Sequence, residues 1–100
     1  MIKKTLGLEL SNMSDELRKK YKIKDAVKGV VITGVDGNSA AAEKRLSAGD
    51  VIVKVTDEEV ASAADVQKRI DQLKKDGKKT ALLLVANAEG DVRFVALALQ

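Results

Sequence analysis

Three short stretches hold the residues whose types could do chemistry. Gly37-Asn38-Ser39 offers a hydroxyl beside a glycine, Asp57-Glu58-Glu59 offers consecutive carboxylates, and Thr5-Leu6-Gly7-Leu8-Glu9-Leu10 offers backbone amides around a glycine. A serine nucleophile needs a base and an oxyanion hole in register with it. The chain has no histidine, and alanines follow Ser39 where such loops commonly carry glycine, so Ser39 is assigned as a helix cap. Adjacent carboxylates on an extended segment point in different directions. Calcium loops space their ligands at alternate positions around an internal glycine, so residues 57–59 read as a solvated turn. Phosphate cradles need several glycines ahead of a helix, whereas TLGLEL has one and leads into a strand. No catalytic group, metal site or cofactor is expected.

The glycine of TLGLEL needs its own explanation, because glycine inside a strand marks a bulge, a bend or a close approach of another backbone. If the amides of Leu6, Gly7 and Leu8 turn into one hollow, they form a nest for an anion, and a carboxylate is the simplest one. Leu8-Glu9-Leu10-Ser11 would continue as an exposed edge strand. An extended peptide could add to that edge, with Leu6, Leu8 and Leu10 lining a socket for its last residue. The alternative is an ordinary edge strand with a bend.

The elements that would position this loop follow from periodicity and punctuation. Ser14 caps a short helix with acids in its first turn and Arg18, Lys19 and Lys20 toward its end, matching the helix dipole. Gly29 to Val35 is a β-branched apolar run, a strand buried on both faces. Asp36-Gly37-Asn38 turns the chain, and Ser39 caps a helix from Ala40 to Leu46. Gly49-Asp50 leads into the strand Val51–Val55. Ser62 opens a third helix, whose buried stripe is Val66, Ile70 and Leu73 and whose end is marked by Lys74-Lys75-Asp76-Gly77. Thr80–Ala88 and Val92–Leu99 form a hairpin around Glu89-Gly90-Asp91. In its second strand Val95, Leu97 and Leu99 share one face, while Ala96 and Ala98 share the other. The order is strand, helix, strand, helix, strand, helix, strand, strand, which predicts a mixed, mainly β (α+β) domain with helices closing its open ends.

A chain of 100 residues makes one domain, and at that size burial of roughly 60–70% of the unfolded surface supports a core without staples. The net charge of +3 arises from 18 basic and 15 acidic residues. Lysines gather at 19, 20, 22 and 24 and at 74, 75, 78 and 79, but the aromatics are only Tyr21 and Phe94. Single-strand binders add aromatic stacking platforms, so these lysines are assigned to solvated helix ends and no nucleic-acid partner is expected. No run reaches membrane-spanning length, and no membrane insertion is expected. The absence of cysteine leaves the redox compartment open.

In order along the chain, four motifs resemble PDZ domains. Thr5-Leu6-Gly7-Leu8 is similar to the x-Φ-G-Φ carboxylate-binding loop, and Leu46-Ser47-Ala48-Gly49-Asp50-Val51-Ile52 to the L-x-x-G-D-x-I signature. Asn38-Ser39-Ala40-Ala41-Ala42 stands in place of the S-x-A-rich helix, and Ser62-Ala63-Ala64-Asp65-Val66 through Ile70 resembles the groove helix. The insertion Ser14–Lys24 is most like the second, C-terminal PDZ domain of bacterial Do-like (HtrA-type) periplasmic serine proteases. The resemblance implies a PDZ-like fold: a partly open β-barrel or sandwich of five or six strands capped by helices, with an extra helix after the carboxylate-binding strand. Residues 1–100 would be a single PDZ domain, a fragment of a larger multidomain protease. It would be non-catalytic and periplasmic.

The resemblance also implies roles. The amides of Leu6, Gly7 and Leu8 would hold a terminal carboxylate, with Lys3 or Lys4 assisting through water. Leu8, Glu9, Leu10 and Ser11 would pair with the peptide, while Ala63, Gln67 and Ile70 form the other groove wall. Gly49 and Asp50 would turn the chain rather than touch ligand. Partners would be unfolded or C-terminal peptide segments of substrate proteins. The competing use of the same fold is an assembly contact between protease subunits, with a weak or occluded groove, favoured if the inserted helix sits over the groove or docks on a neighbour. The chain departs from the family pattern in having no glycine near Asp57-Glu58, alanine for proline after Ser39, and Arg45 where glycine often precedes the leucine.

Overall fold

Gly7 lies between two short strands rather than inside one. The computed structural model describes the backbone of residues 2–5 and 7–99 and the side chains of residues 7–39 and 41–99. β1 (Ile2–Thr5) and β2 (Leu8–Asn12) pair antiparallel, with Thr5 opposite Leu8. They are followed by α1 (Asp15–Tyr21), β3 (Val30–Val35), α2 (Ala40–Glu43), β4 (Val51–Val55), β5 (Glu58–Glu59), α3 (Ala63–Lys75), β6 (Thr80–Ala86) and β7 (Val92–Ala98). One antiparallel sheet runs in the order β1-β2-β3-β4-β6-β7, and β5 pairs with β4. The sheet is open, with helices on it, as expected. Six strands lie along its path, within the expected five or six, and the two-residue β5 is an addition beside β4.

The helix boundaries follow from their caps. Leu17 N donates to Ser14 Oγ at 3.2 Å, and Lys22 closes α1 with a left-handed φ of 56°. α3 opens on a capping box: Asp65 N donates to Ser62 Oγ at 3.1 Å and Ser62 N donates to Asp65 Oδ2 at 3.2 Å. α3 ends at Asp76, and Gly77 follows with φ +78°, the left-handed conformation expected just past a helix end. α2 is shorter than Ala40 to Leu46, because Arg45 is left-handed at φ 63° and breaks the helical path.

Two apolar clusters sandwich the sheet. On one face Leu8, Leu10, Val30, Ile32, Ile52, Leu83, Val95 and Leu97 pack with Ala63, Val66 and Ile70 of α3. On the other, Val31, Val51 and Ala86 pack with Ile23, Val27, and Leu17 and Tyr21 of α1. β3 therefore supplies both faces, as its unbroken apolar run requires. The inserted helix α1 covers the face opposite α3 and does not roof the β2–α3 cleft.

Candidate peptide groove

Gly7 adopts φ +79°, and a Cβ there would overlap the Ser39 side chain. Both facts demand glycine. Ser39 is itself fixed: its Oγ donates to the Asp36 carbonyl at 2.6 Å and accepts from Ala42 N at 3.3 Å, so it caps α2 as expected. The Gly7 carbonyl accepts from Asp36 N at 2.7 Å. The turn that opens β2 is thus wedged against the start of α2, and a cavity of about 350 Å³ lined by Gly7, Leu8, Glu9, Gly34, Val35 and Asp36 lies beside it.

β2 runs from this turn along α3. Leu8 and Leu10 are 1% and 0% exposed and share the main core with Ala63 and Ile70, each 1% exposed. Glu9 and Ser11 alternate to the other face and are half-buried, with Glu9 opposite Gly34 of β3. Gln67 is half-buried on α3 and donates from Nε2 to Asp71 Oδ1 at 2.9 Å. At the far end, Asn12 Oδ1 accepts from Ala63 N at 2.7 Å, tying the end of β2 to the first turn of α3. Asn12 escaped the sequence reading, since no periodicity names a partner 51 residues away.

Of the ten residues expected to read a peptide, Leu8, Leu10, Ala63 and Ile70 meet in one cluster and Gln67 lies on the same helix. Leu6 and the Lys4 side chain lie outside the described residues. The expected exposed edge is not free: β1 pairs with it through Ile2↔Ser11, Lys3↔Leu10, Lys4↔Glu9 and Thr5↔Leu8. With the four cluster side chains so fully covered, the leucines form packed core rather than an open socket.

Gly49 and Asp50 have structural surroundings. Gly49 takes φ +99° beneath the Tyr21 ring, and Asp50 Oδ2 accepts from Ser47 N at 3.2 Å. Asp57, Glu58 and Glu59 are exposed, and among the described residues no group of acidic side chains is placed to hold a metal ion. Two departures noted in the sequence fall on strained backbone: Arg45 and Thr56 are left-handed at φ 63° and 58°, conformations that glycine adopts without cost.

An open antiparallel sheet with a glycine turn entering β2 and a helix packed beside that strand is the architecture of a PDZ-like domain, and the family comparison agrees. The chain belongs to the PDZ family, whose domain model matches residues 5–86. It is 46% identical over 70 residues to a probable periplasmic serine endoprotease DegP-like from Brucella suis, covering 70% of this chain and 14% of that protein. The corresponding Rhizobium meliloti protein is 49% identical over 70 residues with the same coverage. The chain therefore spans about one seventh of the length of these relatives. Among solved structures it resembles the HtrA3 PDZ domain bound to a phage-derived ligand (FGRWV), with TM-score 0.74 and 19% identity over 98% of this chain and 86% of that one. It also resembles the HtrA-type protease AlgW with a decapeptide, with TM-score 0.72 and 21% identity over 97% of this chain and 29% of that one. PDZ domains are non-catalytic. The relatives are periplasmic by name, and no described helix is long and apolar enough to cross a membrane.

Proposed function

We propose that this domain captures C-terminal or extended hydrophobic peptide segments by strand addition at β2, on behalf of an attached periplasmic serine protease. The observation that carries the reading is the wedged Gly7 turn at the head of a strand that runs beside α3. On this reading the amides of Leu6, Gly7 and Leu8 would hold the carboxylate, the Leu8–Ser11 edge would pair with the peptide, Ala63, Gln67 and Ile70 would form the other wall, and Lys4 would assist. The two resembling structures were solved with peptides, which supports the same use here. Burial of one terminal aliphatic side chain contributes about 1.5–3 kcal/mol, and each charge-assisted carboxylate contact about 1.5–3 kcal/mol. Set against the cost of ordering a peptide, these give a Kd of about 1–100 μM, suited to capture by several linked domains.

Titrating the isotopically labelled domain with a short peptide ending in valine, and with its C-terminally amidated twin, tests the reading. Amide shifts at Gly7 and Leu8 with the free acid alone are expected. Shifts with neither peptide, in a domain that stays folded, would discard it.

A second reading, an assembly contact between protease subunits, has one specific observation in its favour. On the sheet face that α1 covers only in part, Leu82, Val92 and Phe94 are 44%, 59% and 68% exposed. Sedimentation across a concentration series would reveal self-association of such a face.

A further inference from the structure

The strand that lies in the groove belongs to the chain itself. A peptide whose carboxylate meets the loop before β2 must run antiparallel to β2, with its last residue beside Leu8. β1 has this direction and this register, ending with Thr5 opposite Leu8. It also lies against α3, and so stands between the two walls. Only two positions separate β1 from β2 in the sequence, so Gly7, whose amide would help cradle a carboxylate, also sits in the tight connection of a β-hairpin.

We propose that β1 is a tethered occupant of the groove that an incoming peptide must displace, so that peptide binding and undocking of residues 2–5 are one event. The inference rests on the peptide-binding reading above. Three observations bear on it. The ladder from Ile2↔Ser11 to Thr5↔Leu8 uses the β2 edge along nearly its whole length. Leu8, Leu10, Ala63 and Ile70 are at most 1% exposed, so these four side chains offer no surface to a peptide while β1 is docked. β1 has only four residues, two of them lysines at a sheet edge; short, charged edge strands pair weakly, which makes exchange possible. Apparent affinity is reduced by the fraction of chains that are open. A strand docked nine-tenths of the time therefore weakens peptide binding about tenfold.

The test compares the parent chain with Ile2→Pro/Lys3→Pro and with a chain beginning at Lys4, using a short free-acid peptide ending in valine. Successive residues of a strand direct their N–H groups to opposite sides, so one of the two prolines removes a donor that faces β2. In the parent, cross-strand nuclear Overhauser contacts between Lys4 and Glu9 and between Ile2 and Ser11 should be present, and should vanish in step with saturation by peptide. Both altered chains should bind about tenfold tighter. Loss of the Lys3 charge alone would weaken binding to a carboxylate, so the sign of the change is diagnostic. Saturation with the β1–β2 contacts retained overturns the inference and leaves a binding module. Equal affinity of all three chains, or absence of those contacts in the free parent, also overturns it. Contacts present but no binding by any chain removes the peptide reading instead.

Discussion

The two ends of the sheet obey the same alternation and finish differently. At one end β2 turns Leu8 and Leu10 into the core and Glu9 and Ser11 outward, and its outer edge is covered by β1. At the other, β7 turns Val95 and Leu97 inward but presents Phe94, Ala96 and Ala98 outward, and among the described residues no strand pairs with its far edge. An inward face is dictated by the core in both strands. The outward face is free to vary, so it is where function can be written. The β2 end is closed by the chain's own residues, whereas the β7 end has an apolar surface that none of the described residues covers.

The comparison breaks most visibly in the core of the β2 end. Leu10→Ala should destabilise the domain by about 2–5 kcal/mol, because a fully buried leucine leaves a cavity that rigid neighbours fill only in part. A urea titration reads the loss as a lower midpoint at unchanged slope. Gly7→Ala comes next, at about 2–3 kcal/mol. An L-residue in the left-handed region costs roughly 1–2 kcal/mol, and displacing Ser39 adds overpacking strain. Ser39→Gly removes the α2 cap in either background, so it should cost less in the Gly7→Ala chain than in the parent by the overpacking part, and equal costs in both would show that the contact with Ser39 is not tight.

Sequence alone made most of this architecture legible because caps, turns and alternation are local. Ser14, Ser39 and Ser62 cap the helices assigned to them, Gly77 ends α3 as expected, and the alternation of β7 places Val95, Leu97 and Leu99 inside. What escaped was non-local or competitive. Thr5-Leu6-Gly7-Leu8 fits a carboxylate loop and a two-residue hairpin turn equally well, since both need glycine at positive φ. Only the pairing of Ile2–Thr5 with β2 reveals the hairpin. The glycine-poor turns at Arg45 and Thr56 were visible as departures, but their left-handed backbone was not. Asn12 was invisible for another reason: its partner, Ala63 N, is brought to it by the packing of α3. Asn12→Ala leaves that helix-terminal amide without its acceptor and should cost about 1 kcal/mol, with faster hydrogen exchange in the first turn of α3 as the check.

The smallest effect on stability belongs to the β7 end. Phe94 is 68% exposed and pairs across strands with Leu84, so its ring contributes little to folding. Phe94→Ser should change unfolding free energy by no more than about 0.5–1 kcal/mol, the range for exposed sites and single cross-strand pairs. Its effect on association separates the two ends. If the outward face of β6 and β7 is a contact between subunits, the replacement lowers self-association while leaving peptide-induced shifts at Gly7 and Leu8 intact. A monomer that behaves identically with either residue would remove the one observation that favours assembly, and would leave the β2 end as the candidate site among the described residues.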